Sequence, residues 1–314
     1  MRWYSNHLKV VIRKPSTITF IANISKSPVH SESIKSIIDI GNETGIPFKI
    51  ITPPPVQGES KDLEAYIGQE IVYLPNLGTS NGEWKVKAAI LGGGRVLAMF
   101  DPGKEYPLPY ADLIHSYLEM DENIVLVSSI LMVPSYILRR IGYWRFFYAG
   151  EDIDLLSRAS KITNLIVFNP PGEYVDLPAS LPDLLNDGYI PWKPRTLVSY
   201  LRRQRDQLIA YNYSLHDLRI FSTLVQKKSL PRFILSLLTY ASSLFRRKRS
   251  ADTRSNYNIV MDSLLSSIIL TDYKRLEGFS HKPSLRLRRE DVEYLSRFNS
   301  LWRTLSKFVN VELL

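Results

Sequence analysis

Cysteine is missing from all 314 positions, which removes disulfides, thiolate metal sites, iron–sulfur clusters and cysteine nucleophiles together. Histidine is scarce. His7, His30, His115, His216 and His281 stand apart with no His-Glu-x-x-His pattern, so a histidine-built metal site is not expected. Long apolar runs are also lacking: in the basic part of the chain the longest uncharged apolar stretch is Phe233 to Phe245, between Arg232 and Arg246. A helix of that length reaches about 20 Å against a hydrocarbon core of roughly 30 Å, so no transmembrane helix is expected. The first fifteen residues disperse Arg2, Lys9, Arg13 and Lys14 among apolar side chains, without the continuous apolar region or cleavage site of a signal peptide. No Gly-x-Ser-x-Gly is present. Gly92-Gly93-Gly94 precedes a strand-like segment, whereas a phosphate-cradling loop follows a strand and opens a helix, so these glycines read as a turn.

What is there suits a folded chain. With 45% hydrophobic and 23% charged residues it has ample material for a core, and its length fits one large domain with an appendage, or two domains. Charge is unevenly divided. Residues 190–314 hold 23 lysines and arginines against 10 acidic residues, a net +13, and the remainder holds 17 against 21, a net −4. A bias of this kind points to an anionic partner for the second part, either a membrane surface or a polyanion.

Thr17 to Ser25 reads as a strand and the isoleucines 34, 37 and 38 as the inner face of a helix, followed by a strand at Phe48 to Thr52 that Pro53 to Pro55 terminate. A short helix at Lys61 to Ile67, a strand at Glu70 to Leu74, a helix at Glu83 to Leu91 and a buried strand at Arg95 to Phe100 continue the alternation. Asp101-Pro102-Gly103 reads as a turn and Asp112 to Leu118 as a helix. Asn123 to Pro134 is extended apolar material, Ser135 to Tyr143 and Glu151 to Lys161 are helices, and Leu165 to Asn169 is the last strand. The fold class is therefore α/β with a mostly parallel sheet. Pro170 to Pro194 is loop-rich and sets a boundary near residue 189, beyond which helices are expected at 196–210, 230–245, 256–273 and 291–311. Basic polar linkers are expected at 246–255 and 277–289.

The segment richest in chemistry is Gly150-Glu151-Asp152-Ile153-Asp154-Leu155-Leu156-Ser157-Arg158, where three carboxylates crowd a helix start. Such carboxylates gain from the helix dipole and lie near a loop mouth, where a base can reach a substrate hydroxyl; the same pattern also serves as a solvated acidic first turn.

With Asn76, Gly78, Gly94, Asp101, Pro107, Arg139, Arg140 and the Gly150 to Arg158 segment in this order, residues 16 to 175 resemble the inverting GT-A glycosyltransferases of family 2. The resemblance implies a Rossmann-like nucleotide-sugar domain over residues 1–189, followed by a helical basic region over residues 190–314. It implies Asp152 as general base, with adjacent Glu151 as the rival, and places Asp101, Lys104 and Asp154 near the donor. The family's Asp-x-Asp, which holds a divalent cation (Mg²⁺ or Mn²⁺) against the pyrophosphate, reads here as Asp101-Pro102-Gly103, without its second carboxylate. Glu105 is the substitute ligand to Asp101, or Lys104 supplies positive charge without a metal. Thr52 and Pro53 stand where related proteins often carry an aspartate that contacts the nucleotide base. Arg202, Arg203, Gln204 and Arg205 echo the Arg/Gln-rich helix that lies close to the donor phosphates in such enzymes, and guanidinium groups suit pyrophosphate; a solvated basic face is the alternative.

In the helix ending at Phe245, apolar residues form one face, Ser236, Thr239, Ser242 and Ser243 fall elsewhere, and Arg246, Arg247, Lys248 and Arg249 follow. That pattern fits a helix lying in a membrane interface, or one packed on the catalytic domain. The expected activity is transfer of a sugar from a nucleotide-sugar donor to a lipid-linked or surface-glycan acceptor, on the inner face of the cell membrane with the anionic surface as partner. Two other classes fit the composition: a nucleic-acid-binding protein using the +13 region, for which no reading motif is present, and a degenerate member of the transferase fold that binds without catalysing.

Overall fold

The computed structural model describes residues 18–24, 28–55, 61–68, 70–75, 79–120, 124–176, 193–218, 230–245, 254–270 and 284–313. The β-branched runs become strands β1 (Ile18–Ala22), β2 (Phe48–Thr52), β3 (Ile71–Tyr73) and β4 (Val96–Phe100). Every residue of β1 and β4 is buried, as expected of strands covered on both faces. With β5 (Ile124–Val127), β6 (Leu131–Pro134) and β7 (Asn164–Val167) they form a seven-stranded sheet in the order β3-β2-β1-β4-β6-β5-β7. All neighbours are parallel except β6, which runs against β4 and β5. The α/β class with a mostly parallel sheet is thus what the chain adopts. Strand order reverses between β1 and β4, and in open α/β sheets ligands bind outside the carboxyl ends of the strands at such a switch point.

Helices α1 (Ser31–Thr44), α2 (Asn81–Gly92) and α3 (Pro109–Glu119) connect these strands, and α4 (Ser135–Ile141) and α5 (Glu151–Ala159) follow β6. In α1 the isoleucines at 34, 37, 38 and 40 are buried, the helical spacing seen in the sequence. Ser80 caps α2 through its hydroxyl, which accepts the backbone N–H of Glu83 at 3.2 Å. Gly92 to Gly94 close α2 against Thr19 of β1, a turn and no phosphate loop.

One expectation is refined and two are corrected. The apolar stretch at 123–134 is two strands, because Ser128 and Ser129 interrupt it and the chain turns back on itself. The strand at 164–167 is not the last. A second sheet, ordered β10-β9-β8, joins Val175–Asp176 (β8) to Ser284–Leu287 (β9) and Asn310–Leu313 (β10), all in parallel. Its β9 occupies sequence expected to be linker. There Leu285 and Leu287 are buried and Ser284 and Arg286 only partly so, an alternation with period two.

The rest of the C-terminal region is helical: α6 (Pro194–Tyr211), α7 (Leu230–Leu244), α8 (Asn256–Leu270), α9 (Arg289–Phe298) and α10 (Ser300–Leu305). The single helix expected at 291–311 is divided at Asn299, whose side-chain oxygen caps α10 by accepting the Trp302 N–H at 2.7 Å. Tyr211, Tyr213, Tyr257 and Tyr294 form a chain of ring contacts tying α6, α8 and α9 together. Helix α8 packs on β7 and α5, so the basic region shares a core with the sheet that precedes it. The expected boundary near residue 189 lies outside the described residues, as do Asn76, Gly78 and Arg246 to Arg249.

Candidate functional site

The site is assembled by two close approaches of backbone. Gly82 in the first turn of α2 lies so near the carbonyl of Arg145 that an added Cβ would come within 1.8 Å of its oxygen; its own N–H donates to the carbonyl of Phe147 at 3.1 Å. Asn81 adds a bond from Nδ2 to the carbonyl of Tyr148 at 2.8 Å. Gly150, before α5, has φ +79°, and a Cβ there would lie 2.8 Å from that of Ala210 on α6. Only glycine meets both conditions without strain. Asp206 of α6 accepts the N–H of Tyr148 at 3.1 Å. The start of α5 is thereby wedged between α2 and α6.

One turn into α2, Lys85 is fully buried, and its ammonium bridges the two carboxylates that open α5. Its Nζ is 2.8 Å from Glu151 Oε1 and 2.8 Å from both Oδ1 and Oδ2 of Asp152. Burial alone would depress the lysine, but the charges of Asp152 and Glu151 outweigh it and hold it above its ordinary value. Glu151, with 3% of its side chain exposed, is raised above the usual carboxylate range by burial; Lys85 opposes that rise and the charge of Asp152 adds to it.

The neighbours differ in access. Asp152 keeps 21% of its side chain exposed and gathers further donors: Trp144 Nε1 at 3.0 Å on Oδ1 and Asn23 Nδ2 at 3.3 Å on Oδ2. Asn23 directly follows β1, and its own N–H donates to the carbonyl of Phe100 at 2.7 Å, one residue before Asp101. The carboxylate of Asp152 and the turn at Asp101 therefore meet at the carboxyl ends of β1 and β4, where strand order reverses.

At that turn, Asp101 Oδ1 accepts the N–H of Gly103 at 2.9 Å, and the Asp101 N–H donates to Tyr106 Oη at 2.7 Å. The side chain caps its own turn. Lys104 is committed elsewhere: its Nζ lies 2.6 Å from Glu173 Oε2 and 5.5 Å from the centroid of the Tyr106 ring. Glu105 is exposed. Among the described residues no group of three or more aspartates, glutamates or histidines gathers as a metal cage. Of the two carboxylates expected to hold a divalent cation, Asp101 is engaged through Oδ1 in its own turn and Glu105 is exposed. Thr52, in the place of a base-contacting aspartate, is buried and donates to the carbonyl of Pro53 at 3.0 Å.

Asp154, grouped with the donor-binding residues in the sequence, is 2% exposed and bound by Arg145 at 2.9 Å and Arg158 at 2.8 Å. Arg158 also donates to the carbonyls of Ile141 and Tyr143. Asp154 is thus the anchor of the loop preceding α5, with its oxygens turned to arginines. On α6, Arg202 and Arg203 are exposed and Arg205 pairs with Asp206 at 2.9 Å. Gln204 is 3% exposed, and its Oε1 has no hydrogen-bond partner among the described residues. Through Asp206 and Ala210 this helix abuts the Gly150 turn, so the two sequence clusters 50 residues apart are brought together.

Sequence reasoning missed Lys85, Trp144, Asn23 and Glu173. A signal for Lys85 was present: with Gly82, Trp84, Ala88, Ala89 and Gly92 it forms the buried face of α2, in which a lysine among small and apolar residues at helical spacing has no solvated face to occupy.

No protein-family model and no characterised protein sequence matches the chain. Solved structures of S. aureus TarS residues 1–349 align with it. The free form and the complex with UDP each reach a TM-score of 0.44 at 12% and 11% identity, covering 84% of this chain and 88% of theirs. The complex with UDP-GlcNAc gives a TM-score of 0.36 at 8% identity, covering 93% and 90%. Similarity this distant carries no weight for function, which has to be read from the geometry.

Proposed function

We propose that this chain is an inverting glycosyltransferase that moves a sugar from a nucleotide-sugar donor to an acceptor hydroxyl. The observation that supports it is the partly exposed carboxylate of Asp152, oriented by Lys85, Trp144 and Asn23 at the strand-order reversal between β1 and β4. The acceptor oxygen attacks the anomeric carbon while the bond from that carbon to the diphosphate oxygen breaks. The nucleoside diphosphate leaves with the electron pair, the acceptor proton passes to Asp152, and configuration at the anomeric carbon inverts. Asp152 and not Glu151 takes the proton, because Glu151 is enclosed against Lys85. The contact from Asn23, at 3.3 Å, is longer than those from Lys85 and Trp144, so an arriving hydroxyl displaces Asn23 from Oδ2 and takes its place. Arg202 and Arg203 supply positive charge toward the departing diphosphate. No step is assigned to a metal.

The test has two parts. A thermal-shift panel of UDP-, GDP- and dTDP-sugars identifies the donor, since a ligand bound by the folded state alone raises the melting temperature. Turnover of that donor with glycan and lipid-linked acceptors, followed by NMR of the product's anomeric centre, is expected to show inversion; retention of configuration would exclude Asp152 as a simple base.

A second reading is favoured by one observation. Both oxygens of Asp152 are already engaged, Oδ1 by Lys85 and Trp144 and Oδ2 by Lys85 and Asn23, which also describes a purely structural anchor in a fold that binds nucleotide sugars without turning them over. Donor binding without product from any acceptor would establish it.

A further inference from the structure

Helix α7 is packed the wrong way round for a soluble helix. Among its described side chains, those it buries are hydroxylated: Ser236, Thr239 and Ser243 are 2%, 3% and 0% exposed. Those it presents outward are apolar, with Ile234 49%, Leu238 62%, Leu244 51% and Phe245, just past its end, 91% exposed. Ile234, Leu238, Ala241 and Phe245 are spaced i, i+4, i+7 and i+11, the repeat that aligns side chains along one face, and the buried hydroxyls lie on the opposite side. Burying the polar face costs little, because it is satisfied from within. Thr239 donates to the carbonyl of Leu235 at 2.6 Å and Ser243 to that of Tyr240 at 2.7 Å. Small hydroxylated side chains also let α7 pack directly on α6.

The geometry points to an anionic lipid bilayer as the occupant of this face, with α7 lying in the plane of the interface. Charge decides among the apolar partners that would fit. The +13 region contains this helix; α6, against which α7 packs, exposes Arg195, and in sequence Arg246 to Arg249 follow Phe245 directly. A second copy of the chain would bring that net positive charge against itself, whereas an anionic leaflet is attracted by about 1 kcal/mol per basic residue near the surface. The helix lies on the bilayer and does not enter it: among the described residues none is long and apolar enough to cross a membrane.

This surface is independent of the transfer chemistry, so either can fail alone. The full chain is sedimented with vesicles of phosphatidylglycerol and phosphatidylcholine, and with vesicles of phosphatidylcholine only, at low and high salt. Binding to the anionic vesicles is expected to exceed that to the neutral ones by at least about tenfold, and to weaken with salt. The Leu238→Glu/Phe245→Glu variant, altered only at exposed positions, is expected to keep its melting temperature and lose at least about tenfold in vesicle affinity. The inference is overturned if the wild-type chain stays in the supernatant with anionic vesicles, or if the folded variant binds them as well as wild type. It is also overturned if the apolar face proves to mediate a dimer in sedimentation equilibrium, or if the chain binds nucleic acid but no vesicle.

Discussion

The two flanks of the site, at the start of α5 and at the end of β4, carry carboxylates in opposite physical states. At the start of α5, Glu151 and Asp152 are drawn onto a fully buried ammonium and held by donors from α2, the 143–150 loop and the residue after β1. At the end of β4, Asp101 caps a three-residue turn and Glu105 lies in solvent. The α5 cluster bears the cost of desolvating three charged groups, which is stable only with full pairing; the charged groups at the β4 turn stay more exposed. On the proposed reading the acid–base chemistry belongs to the α5 cluster, and the β4 turn lies beside it at the carboxyl ends of the strands.

The largest expected effect on stability comes from removing the shared cation. Lys85→Met leaves Glu151 enclosed without a counter-charge and is expected to cost about 3–5 kcal/mol, measured by urea unfolding at neutral pH. Lys85 also sets an alkaline limit. Its folded value lies above its unfolded one, so its contribution is complete below about pH 10.5 and is lost as pH rises through the higher folded value. Unfolding curves collected toward alkaline pH should show this loss in the wild type, and less of it in Lys85→Met. Next, Gly150→Ala places a Cβ against Ala210 at a positive φ and is expected to cost about 1–3 kcal/mol, with turnover falling because α5 shifts. Asp101→Asn removes a charge from the opposite flank while keeping an oxygen for the Gly103 N–H. It is expected to cost at most about 1 kcal/mol, by the same unfolding measurement. Smallest of all, Glu105→Gln should leave stability within about 0.5 kcal/mol. If Asp101→Asn proved as damaging as Lys85→Met, the contrast between the flanks would be lost.

Most of the sheet was legible because β-branched runs bounded by Gly and Pro leave few alternatives: Phe48–Thr52 matches its expected limits, and Val96–Phe100 falls one residue short of them. The start of α5 was equally plain from its acidic first turn. What escaped depended on tertiary partners. Ser-Leu-Arg-Leu at 284–287 is too short and too basic to announce a strand, and becomes one because β8 and β10 supply its ladders. Lys85 stood on the buried face of α2, but its carboxylate partners were out of view until α5 was laid across that helix. The periodicity of α7 showed two faces, but which of them meets the protein is decided by α6.

The most direct test of the central claim is the rate at which Asp152→Asn releases nucleoside diphosphate, at a donor concentration that stabilises the variant as much as it does the wild type. A neutral amide of the same shape keeps one acceptor oxygen for the N–H groups around it, replaces the other with an NH2 and loses the ability to take a proton, so turnover is expected to fall by about 10²- to 10⁴-fold with nucleotide-sugar binding retained. An Asp152→Asn protein that turns over at the wild-type rate would contradict the assignment of the base.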